Sequence, residues 1–324
     1  MKKLVIGKIL QDGGIYSGEV NENELPHSND GVCTWGNMAY EGCWIDGLMS
    51  GIGTLYESGK VKYRGFWWKG ELVHVFGTED PPKPEDKLPK NKNKIAALLV
   101  GCNYEGSDRP LLCCVNEVNE IGKKLSQIGV DVTVLRNASV KEIERGLIAL
   151  SNKDKEYDNV LFYFSGHGAI YGGYHLLTDI NGFPMALETN VVGHFCKSSY
   201  KNIIIIHDAC NAILPITQDA IDDIHCGKQM IIENHMHERN ILYAFSSLNG
   251  NPSWASGTNQ IGMFALAFIE NIHKKNVPVI KMFENITKFV VDYSKKEHDG
   301  VILEIPNITK ALFDEEFCLY SPEE

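Results

Sequence analysis

No apolar run in this chain is long enough to cross a membrane as a helix. The amino terminus, Met1-Lys2-Lys3-Leu4-Val5-Ile6-Gly7-Lys8, lacks the apolar stretch and the small-residue cleavage site of a secretory leader. Positive charge is in deficit, with 31 lysines and arginines against 42 acidic residues. The resulting net charge of −11 argues against a general nucleic-acid binder. The nine cysteines are an odd number in no framework spacing, which excludes a disulfide scaffold and predicts a reduced, cytoplasmic protein. What remains is an ordinary globular composition over 324 residues, enough for two domains and a sizeable core.

Two short strings carry most of the chemistry. Ser165-Gly166-His167-Gly168 follows the apolar run Val160–Phe164, and Asp208-Ala209-Cys210-Asn211 follows Ile203–His207. Both runs read as fully buried strands. In open α/β sheets, reactive groups collect beyond the carboxyl ends of such strands. A thiol delivered there beside an imidazole becomes a nucleophile. A lone cysteine after an apolar strand reads as a small buried hydrophobe, and a lone histidine as a satisfied residue. The pairing, with glycines on both sides of His167, favours the catalytic reading, because the glycines let a backbone N–H approach a reacting group.

The chain divides in two. Residues 1–77 are rich in glycine, tyrosine and tryptophan and repeat at about two dozen residues. The phases are Tyr16-Ser17-Gly18-Glu19-Val20, Tyr40-Glu41-Gly42-Cys43-Trp44 and Tyr63-Arg64-Gly65-Phe66-Trp67. Each unit reads as a β-hairpin with an aromatic face and glycine turns, and the units are expected to stack into a single-layer sheet. Residues 78–94 are proline-rich and charged and read as a linker. From Ile95 onward strands and helices alternate. Strands are predicted at Ile95–Val100, Val130–Leu135, before His167, before Cys210, at Ile241–Phe245 and at Val301–Ile305. Helices are predicted over 115–128, 139–151, 261–274 and 277–292. That order predicts an α/β domain over 95–324 with a mostly parallel sheet flanked by helices.

The repeats resemble MORN repeats; the second unit matches the pattern well and the other two in part. Such arrays serve as lipid-binding, dimerising or docking modules, so the resemblance implies a protein or lipid partner and leaves a homodimer, or a purely structural role, open. The second domain resembles the caspase-like cysteine peptidases, a group of caspases, paracaspases and metacaspases. The resemblance rests on Ala97–Tyr104, the His167 and Cys210 strings, Tyr243–Ser247, Ser253-Trp254 and Glu304–Thr309. It implies that Cys210 is the nucleophile and His167 the general acid and base. The backbone N–H groups of Gly168 and Cys210 would hold the oxyanion, and Ser246 and Trp254 would contact substrate.

Three positions of the resemblance bear on specificity. Aspartate-cutting caspases build their first pocket from a glutamine and two arginines. Asp208, Leu112 and Ala255 stand at those places here. Family members that cut after arginine or lysine have an acid at Asp208 and another in a GC-x-N-D motif, matched by Cys113-Cys114-Val115-Asn116-Glu117. Glu117 is one methylene longer than the usual acid and Cys113 replaces the glycine. Two carboxylates facing a guanidinium make charge-assisted bonds. The alternatives are a helix N-cap or turn acid at Asp208 and a solvated helix acid at Glu117. The expected function is therefore an endopeptidase that cuts proteins or peptides after Arg or Lys. A non-catalytic scaffold and an aspartate-specific caspase are the alternatives. No cofactor or resident metal is expected. Calcium at Asp219, Asp222 and Asp223, zinc at His225, Cys226, His235 and His237, and self-cleavage at Lys228 or Arg239 are weaker readings.

Overall fold

The computed structural model describes residues 3–79, 82, 88–111, 113–171, 174–196, 198–210, 212–213, 239–247, 261–297, 300, 302 and 305–323. The chain falls into two compact units, Met1–Lys83 and Pro84–Ser256 with Gln260–Glu324.

The first unit is a seven-stranded antiparallel sheet in chain order. Its strands are β1 (Lys3–Ile9), β2 (Ile15–Val20), β3 (Ser28–Trp35), β4 (Met38–Ile45), β5 (Leu48–Glu57), β6 (Lys60–Trp68) and β7 (Glu71–Gly77). Alternation places the large aromatics on one face. Tyr16 meets Trp44 edge-on at 5.3 Å, and Tyr40 meets Trp67 in the same way at 5.3 Å. Trp44 Nε1 donates to the Gly31 carbonyl at 3.1 Å, and Trp67 Nε1 to the Gly53 carbonyl at 3.3 Å. The same contact set thus recurs one unit later. Gly31 and Gly53 are not turn residues, as the sequence suggested for such glycines. They leave room for the rings: a Cβ at Gly53 would lie 2.2 Å from Tyr40 Oη, and one at Gly31 would lie 2.6 Å from Trp44 Cδ1.

The second unit holds a six-stranded sheet built from β8 (Ile95–Gly101), β9 (Asp131–Arg136), β10 (Asn159–Gly166), β14 (Asn202–Ala209), β16 (Ile241–Phe245) and β17 (Asn307–Ala311). The strand order is β17-β16-β14-β10-β8-β9. All pairs are parallel except β16 with β17. β8, β10, β14 and β16 are buried along their whole length, which is why their sequences are continuous apolar runs. The principal helices are α1 (Cys114–Gln127), α2 (Val140–Ser151), α4 (Met263–Ile272) and α5 (Val279–Glu297), with a single turn, α3, at Val192–Phe195. Among the described residues no helix is long and apolar enough to cross a membrane.

Three features differ from expectation. A second, four-stranded sheet joins β11 (Gly168–Tyr171), β12 (Tyr174–Thr178), β13 (Pro184–Ala186) and β15 (Ala212–Ile213) in the order β13-β12-β11-β15. Its strands are too short to show a period in the sequence. The last strand of the large sheet is Asn307–Ala311, and Ile302 and Ile305 lie outside any strand. That strand is an edge, with Asn307, Thr309 and Lys310 exposed, so it does not read as an apolar run. The end of the expected 78–94 linker is fastened to the chain's tail within the second unit. Asn91 Nδ2 donates to the Leu319 carbonyl at 2.7 Å, Asn93 Nδ2 to the Cys318 carbonyl at 2.7 Å, and Tyr320 Oη to the Pro89 carbonyl at 3.0 Å.

Candidate active site

His167 and Cys210 occupy equivalent places. β10 and β14 are adjacent and parallel, with Ser165 opposite Asp208 and Gly166 opposite Ala209. His167 is the next residue past one strand and Cys210 the next past the other. Both chains then leave the large sheet and pair again in the small one, Ala169 opposite Ala212. The two reactive side chains therefore stand at the fork between the sheets. Gly168 permits this closeness, because a Cβ there would lie 2.7 Å from Ala209 Cβ and 2.9 Å from the Cys210 carbonyl oxygen.

The imidazole is held from two sides. His167 Nε2 lies 2.6 Å from the Arg109 carbonyl oxygen. A carbonyl only accepts, so Nε2 carries hydrogen and Nδ1 is the basic nitrogen of the neutral ring. The His167 backbone N–H donates to Tyr104 Oη at 3.0 Å, and Tyr104 Oη donates to the Thr178 carbonyl at 2.6 Å. The Tyr104 ring lies 4.4 Å from the imidazole, centroid to centroid. Thr178 N–H in turn donates to the His167 carbonyl at 3.1 Å. Gly168 and Leu177 then face each other without exchanging ladder bonds, and the Gly168 N–H points away from β12.

Behind this fork lie two buried carboxylates. Asp208 Oδ2 accepts from Tyr163 Oη at 2.7 Å. Glu117 accepts from Ser165 Oγ and from the Gly262 N–H, which opens α4, each at 2.5 Å. Glu117 is only 2 % exposed, so it is not the solvated helix acid of the alternative reading, and Asp208, 7 % exposed, lies within β14 rather than in a turn or at a helix N-cap. Gly101 lets α1 approach β8 closely: a Cβ there would lie 2.4 Å from the Cys114 carbonyl oxygen. Burial, and then the charge of Asp208, push the Glu117 carboxyl up to about 7, against hydrogen bonds from Ser165, Gly262 and Cys113. The Cys113 thiol is pushed up as well, first by its hydrogen bond with Cys114, then by burial and by Glu117. Tyr163 is raised by burial and by the Asp208 and Glu117 charges.

Ser246 is fully buried, and its N–H donates to the His207 carbonyl at 3.1 Å. Ser247 Oγ donates to the Ala209 carbonyl at 3.3 Å, so the end of β16 braces the strand that carries Cys210. His207, three residues before Cys210, is fully buried, and burial and then His175 push its pKa down to about 3. Arg239 Nη2 donates to the Tyr200 carbonyl at 3.0 Å. Leu112, Trp254 and Ala255 lie outside the described residues, as do Asp219, Asp222, Asp223, His225, Cys226, Lys228, His235 and His237. No sequence signal points to Arg109, whose backbone carbonyl is its contribution. Tyr104 closes the Ala97–Tyr104 motif of the family resemblance, which does not mark it as a partner of His167.

Residues 94–316 match the protein family described as Caspase domain. A curated relative, Metacaspase-1 of Debaryomyces hansenii, is 29% identical over 128 residues, which cover 35% of this chain and 29% of that protein. The fold is similar to the crystal structure of Caspase-1 from Spodoptera frugiperda, with a TM-score of 0.53 and 16% identity over 75% of this chain and 96% of that one. It is also similar to the protein GSU0716 from Geobacter sulfurreducens, with a TM-score of 0.55 and 14% identity over 71% of this chain and 100% of that one.

Proposed function

This chain belongs to the caspase-domain family, and from that premise we propose that it is a cysteine endopeptidase that cuts after arginine or lysine. The observation that supports the reading is the register of β10 and β14, in which both strands end level, one residue before His167 and Cys210, together with the bond that commits the imidazole's Nε2 to Arg109. His167 Nδ1 takes the proton from Cys210 Sγ, and the thiolate attacks the scissile carbonyl carbon. The Gly168 and Cys210 N–H groups receive the oxyanion. His167 then gives its proton to the leaving amine, and water hydrolyses the acyl-enzyme with His167 again as base.

Asp208 and Glu117 supply the charge that selects a basic side chain. A guanidinium meets two carboxylates, whereas an aspartate side chain meets only repulsion and desolvation. The repeat sheet is proposed to dock a protein or lipid partner. The test is a fluorogenic panel with Arg, Lys or Asp before the scissile bond, with and without calcium. Cleavage after Arg and Lys alone, lost in Cys210→Ala, is the expected result. Cleavage after Asp would establish the aspartate-specific alternative. No cleavage of any member would favour the scaffold.

A further inference from the structure

The start of α1 gathers three metal-ligating side chains that the peptidase reading does not use in that way. Cys113 precedes the helix, Cys114 opens it, and Glu117 follows three and four positions on, so helical spacing makes Glu117 a neighbour of each cysteine. The Cys113 and Cys114 sulfurs are 3.9 Å apart. Both sulfurs and a Glu117 carboxylate oxygen fall within 4.8 Å of one another. Two sulfurs on a tetrahedral zinc ion, with bonds of about 2.3 Å, sit about 3.8 Å apart. The thiol pair is therefore already spaced as one edge of that tetrahedron.

The rest of the site fits a cation. A carboxylate has roughly four acceptor positions; Ser165, Gly262 and Cys113 use three of those on Glu117, and loss of the Cys113 proton on metal binding frees that one for a metal bond. Asp208 is close enough for its charge to act on Glu117. No lysine or arginine among the described residues pairs with Glu117, so the local field favours a positive guest.

We infer that Cys113, Cys114 and Glu117 bind a thiophilic divalent cation of the zinc class, and that this cation takes the place of the substrate's basic side chain. The second part rests on the proposed role of Asp208 and Glu117; the first does not. Binding exchanges two S–H protons, released to solvent, for two metal–sulfur bonds, with no change of oxidation state. Asp208 or a water completes the four ligands. The cation is then a reversible inhibitor, held by the carboxylate that receives arginine.

The experiment uses the full chain carrying Cys210→Ala, which removes the proposed catalytic thiol–imidazole pair as a zinc site. Cadmium is titrated while the sulfur-to-cadmium absorption band is followed, and zinc is used to compete it away. One equivalent is expected, with affinity falling more than about 10-fold in Cys113→Ser and in Cys114→Ser. Zinc should also protect the Cys113 and Cys114 thiols from alkylation in the unmutated chain, a readout that needs no variant to fold. A band undiminished in Cys113→Ser/Cys114→Ser, or protection of other cysteines instead, overturns the site. The shared pocket is tested by activity: zinc should compete with an arginine substrate, and less well in Cys113→Ser. Non-competitive inhibition overturns the sharing. A chain that cuts no arginine substrate refutes the peptidase reading while the cadmium titration still decides the metal site.

Discussion

The Tyr104 hydroxyl accepts the His167 N–H at 3.0 Å while its ring lies 4.4 Å from the imidazole. One side chain thus fixes both the backbone and the ring of His167, and hands its own hydrogen to the Thr178 carbonyl. Tyr104→Phe keeps the ring and removes the link. The backbone N–H of His167 and the carbonyl of Thr178 each lose a partner, at a cost of about 1–3 kcal/mol. We expect kcat for an arginine substrate to fall about 10-fold with KM little changed, a loss of about 1.4 kcal/mol in the transition state. An unchanged kcat with lowered thermal stability would make Tyr104 a purely structural residue.

Cys210→Ala and His167→Ala should each reduce turnover to background while leaving the denaturation midpoint near that of the parent. Cys210 and His167 are both only partly buried, so truncating them opens little core. Peptide turnover and a urea titration of the same samples read the two effects separately. Near-parental turnover in either variant would refute the dyad.

Asp208→Asn should lower kcat and raise KM together for arginine substrates, because the lost charge faces the guanidinium in both ground and transition states. The Tyr163 hydroxyl still has an oxygen to donate to, so the fold should survive. An arginine-to-aspartate preference that does not shrink would exclude Asp208 from the pocket.

Glu117 and His207 make stability depend on pH in opposite senses. Glu117, raised from 4.5 to about 7, favours the fold fully below 4.5 and loses that contribution as pH rises through about 7. His207, lowered from 6.5 to about 3, contributes fully above 6.5 and loses its contribution as pH falls toward 3. Between 4.5 and 6.5 the two slopes oppose each other, each at most about 1.4 kcal/mol per pH unit. Glu117→Gln should therefore leave stability rising with pH in that window, and His207→Phe should leave it falling. Urea midpoints across the window test this; identical slopes in both variants would refute it.

A fragment starting at Pro84 should fold, and one starting at Ile95 should be less stable. The shorter fragment lacks Asn91 and Asn93, and with them the bonds to the Leu319 and Cys318 carbonyls. At about 1 kcal/mol for each lost bond, the difference is visible in thermal unfolding. Equal melting temperatures would mean that this tie contributes nothing to stability.

The large sheet was legible because its central strands are buried on both faces and therefore spelled out as continuous apolar runs. Those runs also placed His167 and Cys210, since each reactive residue directly follows one. The small sheet escaped because β11 and β13 are only a few residues long and their pairing is set by chain direction at the fork. Glu117 was found through the match of Cys113–Glu117 to a family motif; on periodicity alone it reads as a polar helix position. Its burial depends on Ser165 and Gly262, 48 and 145 positions away in sequence, which no local pattern shows. Arg109 acts through a carbonyl that every residue possesses, so its identity carries no signal.

The aromatic column of the first unit has a consequence for how such a sheet can vary. Tyr16 with Trp44, and Tyr40 with Trp67, are the same joint made twice, each beside a glycine that admits the rings. A further hairpin added at the end would meet a surface of the kind its predecessor met, and removing one would expose a surface of the kind already capped. The sheet can therefore lengthen or shorten in whole hairpin steps, like courses in a wall, without inventing a new contact. Insertions or deletions of a fraction of a step would set a side chain against a ring where a glycine is needed.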